Sequence, residues 1–145
     1  MERVTVSTRA IGIISVLLLG VYLLFPGDIW WVNDEPKLFS QALWRNAHGQ
    51  WLGWGINGAN GNPYGPIPIM LYQVMLRLTP ELIQIAMLKT LLSWAIIFFS
   101  LRRLARDLNL NKAFIAIAFL SPLVFLYCRS LWDNVFLVPL SAWFV

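Results

Sequence analysis

The sequence predicts an all-α, polytopic transmembrane helical fold, and three observations predict it. Of 145 residues, 59% are hydrophobic and 12% are charged, about half the charged share of an ordinary soluble domain. So few charges cannot cover a globular surface, and the mean hydropathy of +0.66 agrees. Long apolar runs recur along the chain, separated by short polar turns. The net charge of +4 is gathered in clusters (Arg3 and Arg9, then Arg102, Arg103, Arg106 and Lys112), as membrane orientation requires. A nucleic-acid footprint would spread basic residues over an aqueous face, so no nucleic-acid partner is expected. Cys128 is the single cysteine, which excludes an intrachain disulfide and a thiolate metal cluster.

The first span is expected over residues 10–31. Its apolar run from Ala10 to Phe25 is preceded by Arg9 and followed by Trp30 and Trp31, tryptophans suited to a membrane interface. Phe25-Pro26-Gly27-Asp28 lacks the small residues of a signal-peptidase site, so an uncleaved anchor is expected.

Residues 26–66 change character and predict a structured outer loop. Ser40 to Gln50 is expected to form a short amphipathic helix with Leu43, Trp44 and Ala47 on one side. Asn57-Gly58 and Asn60-Gly61 are strong turn dipeptides. The glycine-rich run lacks the Gly-Lys-Ser/Thr ending of a phosphate-binding loop.

Residues 67–78 are apolar yet reach only about 18 Å as a helix, too short to cross, so an interfacial helix is predicted, ended by Thr79-Pro80. Further spans are expected at 82–101 and 113–127, and 134–145 begins a fourth that stops short of the far side. On that pattern residues 1–145 form the N-terminal part of one larger transmembrane domain. Placing 67–78 in the interface puts Arg3, Arg9 and the 102–112 turn on one side. The N-terminus is then cytoplasmic and the Pro26–Pro66 loop lies outside.

Ionisable residues beside hydrocarbon are functional candidates by default. Asp34 and Glu35 follow the first span, and Asp133 sits at the turn between the third and fourth; all three fall on the outer side. Lys89 lies within the second apolar segment, where a charge costs roughly 2.5–3.5 kcal/mol on insertion scales. It could snorkel to the interface or hold an anionic group, and Arg129 offers the same alternatives. Trp54 and Tyr64, in a loop rich in tryptophan and asparagine, could stack on and hydrogen-bond a sugar, or anchor the loop in the interface. His48 has no companion at ligand spacing, and no zinc motif occurs.

Taken in order, these features resemble a GT-C superfamily membrane glycosyltransferase, of the protein-mannosyltransferase, aminoarabinose-transferase and RgtA/B/C/D-like kind. The matching features are Asn33-Asp34-Glu35 after the first span and a Gly/Asn-rich turn over Gly58 to Tyr64. The proline-led Gly65-Pro66-Ile67-Pro68-Ile69-Met70-Leu71-Tyr72 follows, then Lys89 in Met87-Leu88-Lys89-Thr90-Leu91-Leu92. The basic turn Leu101-Arg102-Arg103-Leu104-Ala105 precedes Leu120-Ser121-Pro122-Leu123 and Arg129-Ser130-Leu131-Trp132-Asp133. The chain departs from the family at Lys89, where arginine is frequent, and at Pro66-Ile67-Pro68, where a Pro-Pro pair is frequent.

The resemblance implies transfer of a sugar from a polyprenyl-phosphate-linked donor to a lipid, glycan or protein acceptor outside a bacterial inner or plasma membrane, with membrane lipids as surroundings. It implies Asp34, or its neighbour Glu35, as the base that deprotonates the acceptor, a role open to a carboxylate ordinarily ionised at neutral pH. It implies Asp133 as a second acidic residue, and Lys89 and Arg129 as ligands of the donor phosphate. Relatives run to several hundred residues, so this piece alone is expected to be inactive. No cofactor is demanded by these residues, and a divalent metal is compatible with the family. Two other classes compete: a non-enzymatic membrane subunit that presents the Trp/Asn-rich loop to glycan or lipid, and a transporter fragment with Lys89 and Asp133 as coupling charges.

Overall fold

The computed structural model describes residues 8–28, 34–51, 54–58, 60–63, 65–111, 113–131 and 141. Every regular element among them is an α-helix: α1 (Thr8–Leu23), α2 (Glu35–Ala47), α3 (Ile67–Leu78), α4 (Leu82–Asp107), α5 (Ala113–Phe119) and α6 (Pro122–Arg129). α4 is the axis. α2 and α3 form a hairpin whose α3 side touches α4, while α1, α5 and α6 pack against α4 and one another.

The local stops follow from chemistry. α2 ends in a left-handed residue, Gly49, with the Gln50 amide donating to the Arg45 carbonyl and the Gly49 amide to Asn46. That pattern satisfies two orphan carbonyls and asks for a residue without a Cβ. Asn109 does the same for α4, with Leu110 donating to Ala105 and Asn109 to Arg106. α3 stops where Pro80 forces Thr79 into extended backbone. The Thr79 hydroxyl then turns to α4, donating to the Gln84 side chain and accepting from the Glu81 amide. The expected tight turn is present: the Gly58 amide donates to Asn62 and the Gly61 amide to Gly58, with Gly61 at positive φ.

Three expectations need correction. The first span was expected to run to residue 31, but α1 closes at Leu23, and Phe25 adopts a positive φ just beyond it. The 113–127 span is two short helices. Pro122 lacks an amide hydrogen and disfavours helical backbone at the residue before it, and Ser121 is extended, which interrupts the helix between Phe119 and Pro122. The amphipathic helix expected over Ser40–Gln50 begins at Glu35, with Pro36 in its first turn, and buries Leu38, Phe39 and Ala42. Leu43 and Trp44 face outward instead. α3 has the boundaries expected, and α4 runs beyond residue 101 to Asp107. Residues 134–145, save Ser141, lie outside the described residues.

Two apolar clusters are strung along α4. Near its start, Ile85 and Ala86 meet Leu38, Phe39 and Ala42 of α2, Ile69, Tyr72 and Met75 of α3, and Leu131. Farther along, Trp94 and Ile97 meet Tyr22 of α1, Phe119 of α5 and Cys128 of α6. The Tyr22 hydroxyl donates to the Phe119 carbonyl at 2.7 Å, and its ring stands edge-on to Phe119 and Phe125. Tyr22→Phe therefore removes a buried hydrogen bond while keeping the rings, and is expected to lower stability by about 1 kcal/mol, measured by thermal unfolding in detergent.

At 26 residues, α4 is about 39 Å long, and it is long and apolar enough to cross a membrane. Only 33% of its most apolar window is buried. A core helix of a soluble protein would be mostly enclosed, and α4 is not near the N-terminus as a signal sequence is. Exposed apolar side chains also stand on α1 (Ile13, Val16 and Leu17) and in the α5–α6 region (Ile117, Leu120 and Leu123).

Candidate functional site

Asp34 and Glu35 stand where α2 begins, and the helix separates them. Asp34 is the residue before the first turn, its side chain 34% exposed and 3.5 Å from Lys37. Glu35 opens the helix on the face that carries Leu38, Phe39 and Ala42, and has no exposed surface. The face is set by helical spacing: residues 35, 38, 39 and 42 recur at three- and four-residue intervals. Two adjacent carboxyl groups thus have opposite access to solvent.

Lys89 is also completely buried. Its ammonium donates to the Tyr127 carbonyl at 2.6 Å and the Cys128 carbonyl at 2.9 Å, the last carbonyls of α6. Such carbonyls have no partner within their own helix, and the negative end of the helix dipole favours a cation there. Arg129 acts alike on another helix. It donates to the Leu24 carbonyl at 2.9 Å and the Phe25 carbonyl at 2.7 Å, just past the end of α1, with its guanidinium 5.1 Å from the Phe125 ring centre. The Tyr72 hydroxyl completes the pattern by donating to the Leu131 carbonyl at 2.5 Å.

The described residues singled out from the sequence stand on different elements: Asp34 and Glu35 at the start of α2, Lys89 on α4, Arg129 at the end of α6 and Trp54 in the loop after α2. Glu35 shares the α2 face that packs against α3, and Lys89 lies one turn past Ile85 on α4. Lys89 and Arg129 spend hydrogen bonds on backbone carbonyls. Trp54 is 74% exposed, and its carbonyl accepts from the Arg45 guanidinium at 3.0 Å. Trp44 stacks on His48, and the Arg77 guanidinium lies 4.1 Å from the Trp51 ring centre. Asp133 and Tyr64 lie outside the described residues. Among the described residues, no three His, Cys, Asp or Glu side chains converge as a metal site would need.

Sequence reasoning missed Tyr72 and Gln73. Gln73 is fully buried on α3, where its side-chain amide donates to the Gln50 carbonyl at 2.7 Å and the Asn46 side chain at 3.3 Å, while Asn46 donates to the Gln73 carbonyl at 3.1 Å. These bonds tie the end of α2 and the start of the loop onto α3. The available signal was an amide in the middle of an otherwise apolar helix, Tyr72-Gln73-Val74-Met75.

No protein-family model matches the chain, and neither a curated protein nor a solved structure matches it.

Proposed function

We propose that the protein is a polytopic membrane glycosyltransferase of GT-C type, which moves a sugar from a polyprenyl-phosphate-linked donor to an acceptor on the outer side of the membrane. The observation that carries this proposal is the α2–α3 hairpin. An amphipathic helix opening on an acidic pair sits at one end of a lipid-length helix, with one carboxylate accessible and the next enclosed. Asp34 is the base of choice, because a proton acceptor must reach the incoming hydroxyl, and Glu35 has no exposed surface. Orientation follows from the arginines: the Arg102–Arg106 end of α4 is cytoplasmic, so the hairpin faces outward.

In this mechanism Asp34 takes the acceptor proton as the acceptor oxygen attacks the anomeric carbon and the bond to the donor phosphate breaks. The departing phosphate gains charge and needs a cation. Lys89 is enclosed and already bonded to two carbonyls, so it holds α6 in place. Arg129 also donates to two carbonyls, but it is partly exposed and its guanidinium has five N–H groups, so it stands closer to that task.

The exposed Trp44, Trp51 and Trp54 favour one second reading, a non-enzymatic subunit that presents an aromatic loop to glycan or lipid. A transporter would set Lys89 in a shared cavity, and its packing against α6 speaks against that. Membranes containing the full-length protein, supplied with a radiolabelled polyprenyl-phosphate hexose, are expected to form labelled product above membranes lacking it. Glycan retention with no product would favour the subunit and overturn the transferase.

A further inference from the structure

At the end of the bundle remote from the α2–α3 hairpin, a cavity of about 1080 Å³ opens between α1, α4 and the region around α5. Its lining divides by chemistry. Ile11, Phe99 and Ile115 supply an apolar wall, and Arg102, Arg103 and Arg106 supply a cationic one. Arg103 and Arg106 both reach Asp107, at 3.6 and 3.1 Å. Arg102 has no such partner among the described residues and is exposed. Among the described residues, one carboxylate stands against three guanidinium groups at the mouth.

The apolar wall is not enclosed. Phe99 is largely exposed and continues the bare apolar face of α4. A ligand here would thus touch cations with one end and run along hydrocarbon-like surface with the other. That is the shape of an amphiphile with a negatively charged head. A soluble anion would leave the apolar wall bare, and a neutral lipid would leave the arginines without a counter-charge. Guanidinium groups suit phosphate because their planar donors match its oxygens.

We propose that this cavity is a binding site for an anionic phospholipid, with the headgroup phosphate held by Arg102 and Arg106 and an acyl chain lying along Ile11, Phe99 and Ile115. It rests on the membrane placement of α4 and is independent of the transferase chemistry at the other end. The lipid would fasten α1 and α5 to the basic end of α4, where the described residues supply one carboxylate to three arginines.

The test uses the purified chain in detergent with equal amounts of phosphatidylglycerol and phosphatidylcholine, read by native mass spectrometry. Wild type is expected to retain one phosphatidylglycerol in preference to phosphatidylcholine by roughly 25-fold. Each basic group near an anionic lipid contributes about fivefold, so Arg102→Gln should cut the preference about that much and Arg102→Gln with Arg106→Gln should nearly erase it. Arg77→Gln, at the opposite end of the bundle, should leave it unchanged. Circular dichroism of each variant checks that the helices persist.

Equal retention of both lipids by wild type would overturn the proposal, as it would if another segment of protein filled the cavity. Undiminished preference in the double variant would overturn it too, and release of the lipid by millimolar inorganic phosphate would reveal a simple anion site. Recovery of the chain in the soluble fraction after alkaline extraction would instead remove the membrane placement, and the lipid site with it.

Discussion

Replacing Asp34 with Asn in the full-length protein is expected to lower the sugar-transfer rate by about two to four orders of magnitude while leaving the protein folded. General-base catalysis contributes on that scale, and an amide cannot accept the acceptor's proton. The structural cost of the change is small. The ion pair of Asp34 with Lys37 is a surface contact between neighbours three residues apart, and such pairs contribute at most about 1 kcal/mol. Glu35→Gln should behave in the opposite manner. Its side chain is enclosed on the packed face of α2, so the swap alters a buried polar group and should lower stability by about 1–3 kcal/mol. Rates measured at a temperature where both variants are folded, beside unfolding curves for each, separate the two. An Asp34→Asn protein that transfers sugar as fast as wild type would remove Asp34 from the chemistry, and a rate collapse confined to Glu35→Gln would reverse the assignment.

The contrast between these neighbours shows what was legible in the residues and what was not. The acidic pair, the interfacial length of α3 and the Gly/Asn turn are local features. Prolines at 66, 68 and 80 and glycines at 58 and 61 punctuate the chain whatever surrounds it. Which carboxylate would be enclosed depended on which face of α2 packs, and a helix that starts at Glu35 includes Leu38 and Phe39, which make a larger apolar face with Ala42. With the start moved from Ser40 to Glu35, the packed face moves from Leu43 and Trp44 to Leu38, Phe39 and Ala42. The break in the third apolar run was written in Ser121-Pro122, yet an apolar count over 113–127 passes across a proline without registering it. The partners of Lys89 and Arg129 were beyond local reading. Their carbonyl acceptors lie 38 to 39 and 104 to 105 residues away in the chain, and backbone carbonyls leave no trace in composition.

Substitution of Lys89 by Met is expected to weaken the packed bundle by about 1–3 kcal/mol. Two effects oppose each other. Loss of a buried ammonium favours α4 in hydrocarbon, since lysine costs roughly 2.5–3.5 kcal/mol at the centre of a span when it has no partners. In the folded protein, however, the ammonium is not unpartnered. It carries hydrogen bonds to the Tyr127 and Cys128 carbonyls, and hydrogen bonds to a charged group contribute about 1.5–3 kcal/mol each. Methionine matches the length of the lysine stem but leaves both carbonyls facing an apolar interior with no water to replace the donor. The loss should therefore outweigh the gain, loosening α6 from α4 and lowering the unfolding midpoint in detergent, while Arg103→Gln at the exposed basic end shifts it by no more than about 0.5 kcal/mol. A phosphate-binding lysine would give another signature: KM for the lipid-linked donor would rise while the unfolding curve stayed in place. The two carbonyls leave the ammonium at most one further N–H, too few to cradle a phosphate. A stable Lys89→Met protein with weakened donor binding would mean that the α6 contact opens when donor arrives, and that Lys89 belongs to the site and not to the scaffold.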